Sequence, residues 1–172
     1  VLIEKEVKAK AMDKVVFNYF GKPSAIAKSE ALDTDCVCIR YPIIGNTDWL
    51  KRCRNDMRPM KWLAGLEGRN QMLVNLIRKQ YCEGRQIIVL SRFIEHLETL
   101  FDMCASAGIP HNAMGPYTGK WKGTTLGKGF LNKVKDNAVI QFATYSKAKE
   151  GYDCPRLDCG IEATPVADNV QG

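Results

Sequence analysis

The sequence predicts an α/β domain in which a mostly parallel sheet is covered by helices on both faces, three layers in all. Three observations predict it. Short runs rich in β-branched and aliphatic residues recur, at 86–90, 138–144 and 159–163, each flanked by charge or turn residues. Between them lie longer segments whose apolar residues repeat at helical spacing. Strands that alternate with helices of this length imply βαβ units, and hence parallel strands buried between helical layers.

Along the chain, Val16, Phe17 and Phe20 fit one face of a short helix over 13–20, ended by Gly21 and Pro23. Residues 36–41 read as a strand. From 42 to 60 the turn signals Pro42, Gly45-Asn46 and Pro59 surround a short helix at 48–53, which predicts a surface excursion. Leu66, Leu73, Leu76, Ile77 and Tyr81 then mark an amphipathic helix over 65–82, stopped by Gly84. A buried strand is expected at 86–90. Phe93, Leu97, Leu100, Phe101 and Cys104 mark a second helix, ended by Gly108 and Pro110. His96 is expected as a helix surface residue. Residues 111–114 read as a strand that includes His111, and 115–129 as a Gly- and Lys-rich loop. Phe130, Leu131 and Val134 form a small helical face before the strand at 138, and 159–163 supplies the last strand.

A length of 172 residues suits one domain, 1–172, and is short for two. The net charge of +6 permits attraction to phosphate-rich polymers. No apolar run approaches the roughly 18 residues that would span a bilayer, so no membrane association is expected. The opening Val1-Leu2-Ile3-Glu4-Lys5-Glu6 has no apolar core of a signal peptide, and an initial valine points to a piece cut from a longer chain. Seven cysteines are an odd number and sit mostly in apolar or helical surroundings. Reduced thiols in an intracellular protein, cytoplasmic, nuclear or viral, are expected. No metal site is expected either, because Cys36-x-Cys38 lacks a second pair and His96 is far from His111.

Three strings approach a phosphate-binding loop without completing one. Gly21-Lys22-Pro23-Ser24 lacks the upstream glycine, and Pro23 removes an amide the cradle would use. The stretches 115–121 and 123–129 are each one residue short and have no Ser or Thr after the lysine, the hydroxyl that would hold Mg²⁺. No Gly-x-Gly-x-x-Gly follows a strand, so a dinucleotide enzyme on a doubly wound sheet is disfavoured.

The richest stretch is 138–158: a buried strand, Thr144 at its carboxyl end, a one-turn helix, and a Gly151-x-Asp153 corner stopped by Pro155. In open α/β sheets, ligands sit outside the carboxyl ends of the strands. Ala143-Thr144, six residues, Gly151-x-Asp153, then Pro155-x-Leu157-Asp158 resembles the fifth motif of superfamily-two DNA and RNA helicases. Glu150 before the glycine resembles the branch of phage-type and XPB-like DNA helicases. Residues 87–97 resemble the fourth motif, with Ser91 suited to cap the following helix. Thr118-Gly119-Lys120 resembles a backbone-touching corner of the same enzymes. Residues 163–172 resemble the approach to the sixth motif, with the chain ending as that motif begins; 8–14 resembles the segment just after the third motif, so 1–13 would be the tail of the segment following the first lobe.

The resemblance implies the second, C-terminal RecA-like lobe of a two-lobed motor. ATP and Mg²⁺ would be gripped mainly by a first lobe, and this lobe alone would be inactive as an ATPase. Ser91, Arg92, Thr118, Gly119, Lys120, Thr144 and Tyr145 would then touch the nucleic-acid backbone, with Thr144 and the amides that open the short helix as phosphate donors. Glu150, Gly151, Asp153 and Gln171 would face the nucleotide, with Gly151 and Asp153 in the catalytic corner. The partners implied are nucleic acid, DNA ahead of RNA, and the first lobe of the same protein. The alternative is a basic α/β module that binds nucleic acid or protein without a motor. One departure is a spacing from Thr144 to Gly151 one residue longer than in DEAD-box helicases.

Overall fold

A computed structural model describes residues 35–42, 57–149 and 152–165. The chain divides into two compact units, 1–40 and 41–172. In the first, only 35–40 are described; they are exposed and carry no strand, which corrects the expectation at 36–41. Val37 and Ile39, whose β-branched side chains suggest a strand, are both exposed, so no buried face holds the segment in a sheet. The helices expected at 13–20 and 48–53 lie outside the described residues.

In the second unit, helix α1 spans Arg58–Ala64. The sequence reading misses it, because Pro59 reads as a turn residue. In the first helical turn, however, a missing N–H costs nothing, since those amides have no intrahelical acceptor. Helix α2, Glu67–Cys82, follows after a sharp corner. Its end is a Schellman motif: the Arg85 amide donates to the Gln80 carbonyl and the Gly84 amide to Tyr81, with Gly84 at φ +79°. Strand β1, Ile87–Ser91, leads into helix α3, Ile94–Ser106. That helix ends the same way, with Gly108 at φ +91° and the buried Ile109 amide returning to Cys104.

Residues 111–113 form a 3-10 turn rather than a strand, so His111 is an exposed turn residue and β2 is displaced to Met114–Tyr117. The proline at 110 sets the turn's entry, and the strand begins only where the apolar side chains reach the sheet. The loop expected over 115–129 contains a small antiparallel hairpin, β3 at Lys120–Trp121 and β4 at Thr124–Thr125. Helix α4, Lys128–Asn137, strand β5, Ile140–Thr144, a one-turn helix α5, Tyr145–Lys149, and strand β6, Cys159–Glu162, complete the order.

The described strands of the main sheet run in the order β2-β5-β1-β6, every pairing parallel. Side chains alternate between its faces. Ile87, Val89, Ile140, Phe142 and Ile161 point to the face covered by α2 and α3, where they join Leu73, Val74, Ile77, Leu97, Leu100, Phe101 and Cys104 in one core. Burial pushes the Cys104 thiol up to about 12. Phe101 is the aromatic centre, edge-on to Phe142 at 5.4 Å and to Trp121 at 5.5 Å. On the opposite face α4 lies over β2, and the buried Gln141 is held by Tyr152 and by the Lys135 carbonyl. The architecture is the expected α/β sandwich of helices around a parallel sheet, consistent with a RecA-like domain.

The approach of α4 to β2 is set by Gly115. A Cβ there would lie 2.7 Å from Val134 Cγ1 and 3.1 Å from Ala138 Cβ. Val134 is β-branched and has little rotamer freedom with which to yield. Gly115→Ala is therefore expected to destabilise the unit by about 1–3 kcal/mol, read as a lowered midpoint in chemical denaturation; an unchanged midpoint would show that α4 can retreat without loss.

Candidate functional site

Parallel pairing brings every strand's carboxyl end to the same edge. Ser91 is the register partner of Thr144, and Tyr117 pairs with Ala143, which puts Thr118 next along. The Ala163 amide donates to the Leu90 carbonyl at 2.7 Å, so β6 leaves the sheet beside Ser91. Across the edge the order is thus Thr118, Thr144, Ser91 and Thr164, four hydroxyls at or just beyond the ends of four strands.

These hydroxyls are buried, and each is used inside the protein. Thr118 donates to the Lys120 carbonyl at 2.6 Å and ties the strand end to the hairpin. Thr144 and Ser146 hydroxyls meet at 3.3 Å. Ser91 Oγ accepts the Phe93 amide at 3.2 Å and lies 3.0 Å from His96 Nδ1, while His96 Nε2 lies 3.0 Å from Asn70 Oδ1. Asn70 in turn donates to the Ala64 carbonyl at 2.8 Å, closing the end of α1. One proton arrangement satisfies the whole chain. Nε2 carries the hydrogen and donates to Asn70, and Nδ1 accepts from the Ser91 hydroxyl. Burial, with the Arg69 charge adding to it, lowers the His96 pKa to about 4, which keeps the ring neutral as this arrangement requires.

A serine, a histidine and an asparagine in hydrogen-bonded series resemble a hydrolytic triad, but Ser91 is 0% and His96 3% exposed. No substrate reaches them, and their role is to hold β1, α2 and α3 in register. His96 is therefore no surface residue: with Leu97, Leu100, Phe101 and Cys104 it falls on the inward stripe of α3. Nor does Ser91 cap α3, whose N-cap is Phe93; its hydroxyl instead turns the chain two residues earlier.

A second cluster gathers where β6 ends. Arg69 donates through Nη2 to the Ala163 carbonyl at 2.6 Å, and the Tyr145 hydroxyl donates to the Thr164 carbonyl at 2.6 Å. The Arg92 amide donates to Thr164 Oγ1 at 3.0 Å. Desolvation lowers the Arg69 pKa and raises that of Tyr145 to about 12, so Tyr145 stays protonated and a donor. Arg69 Nη1 is shut off from solvent without a hydrogen-bond partner.

The hairpin stands at the same edge. Lys122 at φ +44° and Gly123 at φ +80° form its two-residue turn, both in the left-handed region such turns require. It is pinned to α3: the Lys122 amide donates to Glu98, its ammonium lies 2.9 Å from Asp102, and Trp121 packs on Phe101.

Of the residues expected at the nucleic acid, Arg92 and Lys120 are exposed and Gly119 and Tyr145 half-buried, while Ser91, Thr118 and Thr144 are buried. The expected donor hydroxyls of Ser91 and Thr118 are thus spent inside the protein, and Tyr145 spends its own on Thr164. Open space surrounds Gly119, with nothing near the position of an added Cβ. Asp153 is exposed; Glu150, Gly151 and Gln171 lie outside the described residues. Sequence reasoning misses Asn70, His96, Arg69 and Thr164, although Asn70 and His96 sit on apolar helical stripes where a polar residue must have a partner. Among the described residues no group of three or more His, Cys, Asp or Glu could hold a metal ion, and no helix is long and apolar enough to cross a membrane.

The chain is similar over 100 residues, at 26% identity, to the protein named "Putative ATP-dependent RNA helicase L396" of Acanthamoeba polyphaga mimivirus; the match covers 58% of this chain and 18% of that protein. The chain thus spans under a fifth of its relative's length. No family model matches. No solved structure matches.

The buried relay makes stability depend on pH in a definite sense. Above about pH 6.5 the imidazole is neutral in both folded and unfolded chains. As pH falls from 6.5 to about 4, the unfolded chain takes up a proton that the folded one refuses, so stability declines by about 3 kcal/mol over that window and this contribution then levels off. Denaturant midpoints at pH 7 and pH 4.5 should show this decline in the parent and a smaller one in His96→Phe; equal declines would mean that His96 does not carry it.

Proposed function

We propose that this chain is the second motor lobe of an ATP-dependent nucleic-acid helicase or translocase of superfamily two, of the phage-type and XPB-like branch. The observation that carries the reading is the convergence of three helicase-like segments, 91–92, 118–120 and 144–146, on one sheet edge by parallel register. Each presents an exposed polar residue there: Arg92, Lys120 and Ser146. The mimivirus relative supports the same class through its name.

In this reading Arg92 and Lys120 hold phosphates of the track, with Gly119 allowing close backbone approach and Thr144 positioning the corner. Contacts of this kind grip the backbone and not the bases, so affinity is nearly independent of sequence and falls steeply with salt. They serve DNA and RNA alike: the branch points to DNA, while the relative is named for RNA. Asp153, an exposed oxygen acceptor on the corner after α5, would accept bonds from the ribose of ATP or from the first lobe. The described residues offer no phosphate loop and no carboxylate cluster, so the triphosphate and Mg²⁺ would rest mainly on that lobe. Closing and opening of the inter-lobe cleft would then move the track.

Nucleic-acid-stimulated ATP turnover of the complete protein is the direct test. Asp153→Ala should lower it by tenfold or more, and turnover that ignores both nucleic acid and this substitution would leave the non-motor module as the better description. Arg92→Ala and Lys120→Ala should each weaken binding about equally for unrelated single-stranded sequences and reduce the salt slope by about 0.7 for each cation removed, measured by fluorescence anisotropy with matched DNA and RNA oligonucleotides. Weakening confined to one sequence would contradict a backbone grip.

A further inference from the structure

We infer that Glu98 is a positioning residue for nucleic acid, an acidic side chain that sets the 120–125 hairpin so that Lys120 meets a phosphate; the inference rests on the backbone grip proposed above for Lys120. Strands β3 and β4 share two register pairs, Lys120 with Thr125 and Trp121 with Thr124. A two-stranded ribbon of this size does not hold its own shape in water, so its set comes from outside. At the root, the Thr118 hydroxyl donates to the Lys120 carbonyl at 2.6 Å. Midway, Trp121 packs edge-on to Phe101 at 5.5 Å. At the tip, the Lys122 amide donates to the Glu98 carboxylate, and the Lys122 ammonium lies 2.9 and 3.2 Å from the two oxygens of Asp102.

The two tip contacts differ in kind. Both side chains of the Lys122–Asp102 pair are more than half exposed, where an ion pair contributes little. Glu98 is half-buried and holds the backbone itself, at a residue in the left-handed region, φ +44°. A bond from a backbone amide to a carboxylate is the stronger kind. Lys120, two residues away, is exposed, and among the described residues its ammonium makes no ion pair. Glu98 thus fixes the chain that carries Lys120 and leaves the cation itself free. A cation on a fixed backbone loses less freedom when it meets a phosphate, which favours binding. Coulomb's law alone predicts the reverse, because a carboxylate beside a polyanion repels it and its removal should strengthen binding. The two roles therefore differ in sign.

In the complete protein, affinity for single-stranded DNA and RNA oligonucleotides of unrelated sequence is measured by fluorescence anisotropy over a salt series, with melting temperature alongside. Glu98→Ala should weaken binding about fivefold although a repelling charge is lost, and should move the salt slope toward that of Lys120→Ala. Glu98→Gln keeps an oxygen acceptor for the Lys122 amide without the charge, and should bind at least as tightly as the parent. With Lys120→Ala already in place, Glu98→Ala should weaken binding no further, because it acts through that lysine. Unchanged or tighter binding by Glu98→Ala, an equal loss in Glu98→Gln, or an undiminished loss on the Lys120→Ala background overturns the inference. If Glu98→Ala does not fold, Glu98→Met, which matches the length of the side chain without an acceptor, takes its place with the same expectations. A parent protein whose affinity ignores both salt and Lys120→Ala sinks the backbone grip itself, an outcome distinct from a salt-dependent parent with an indifferent Glu98→Ala.

Discussion

The parallel pairing of β1 with β5 is the constraint on which the rest depends. It aligns Ser91 with Thr144 and brings the ends of segments more than fifty residues apart in sequence to one edge. Parallel strands cannot be joined by tight turns, so each must be reached by a crossover: helix α3 lies between β1 and β2, and the hairpin and helix α4 between β2 and β5. The loops that leave the strands at that edge are then free to vary while their roots are held. The candidate site is made of such loops, and its position follows from the sheet before any particular side chain is considered.

Holding the roots requires burying polar groups, and buried polar groups must be paired. Ser91, His96 and Asn70 meet that demand as a continuous series from the sheet through α3 to the end of α1. A single neutral imidazole donates on one side and accepts on the other, which lysine or a carboxylate could not do in so dry a place. The second cluster, at Ala163 and Thr164, uses backbone carbonyls as acceptors for Arg69 and Tyr145, so that charge and phenol are both kept as donors. Between them the two clusters fasten the strand ends without drawing on the exposed side chains of Arg92 and Lys120 for these bonds.

Much of this is legible in the sequence where the pattern is long. The stripes of α2 and α3, the strand at 87–91, the strand ending at Thr144 and the short helix after it fall where periodicity and glycine stops put them, because both signals are local. Pro59 misleads because its meaning depends on whether it opens a helix or breaks one, and the residues around it do not say which. The hairpin inside 115–129 escapes because two-residue strands leave no periodicity, and its turn is marked only by Lys122-Gly123. Residue type alone puts His96 on the surface, although its place on the stripe points inward. At the site, exposure divides residues that the motifs treat alike: Arg92 and Lys120 face outward, while Ser91 and Thr118 act as internal ties. No local pattern carries the convergence on Thr164, since its partners come from separate elements, 19 and 72 residues away.

The hairpin's attachment has a mechanical consequence. Lys122 is bound to Glu98 and Asp102, and Trp121 leans on Phe101, so the hairpin is fastened to α3 at three points. A pull on Lys120 would therefore not merely bend a tip. The load would pass first to Glu98, Asp102 and Phe101, three places spread along one helix.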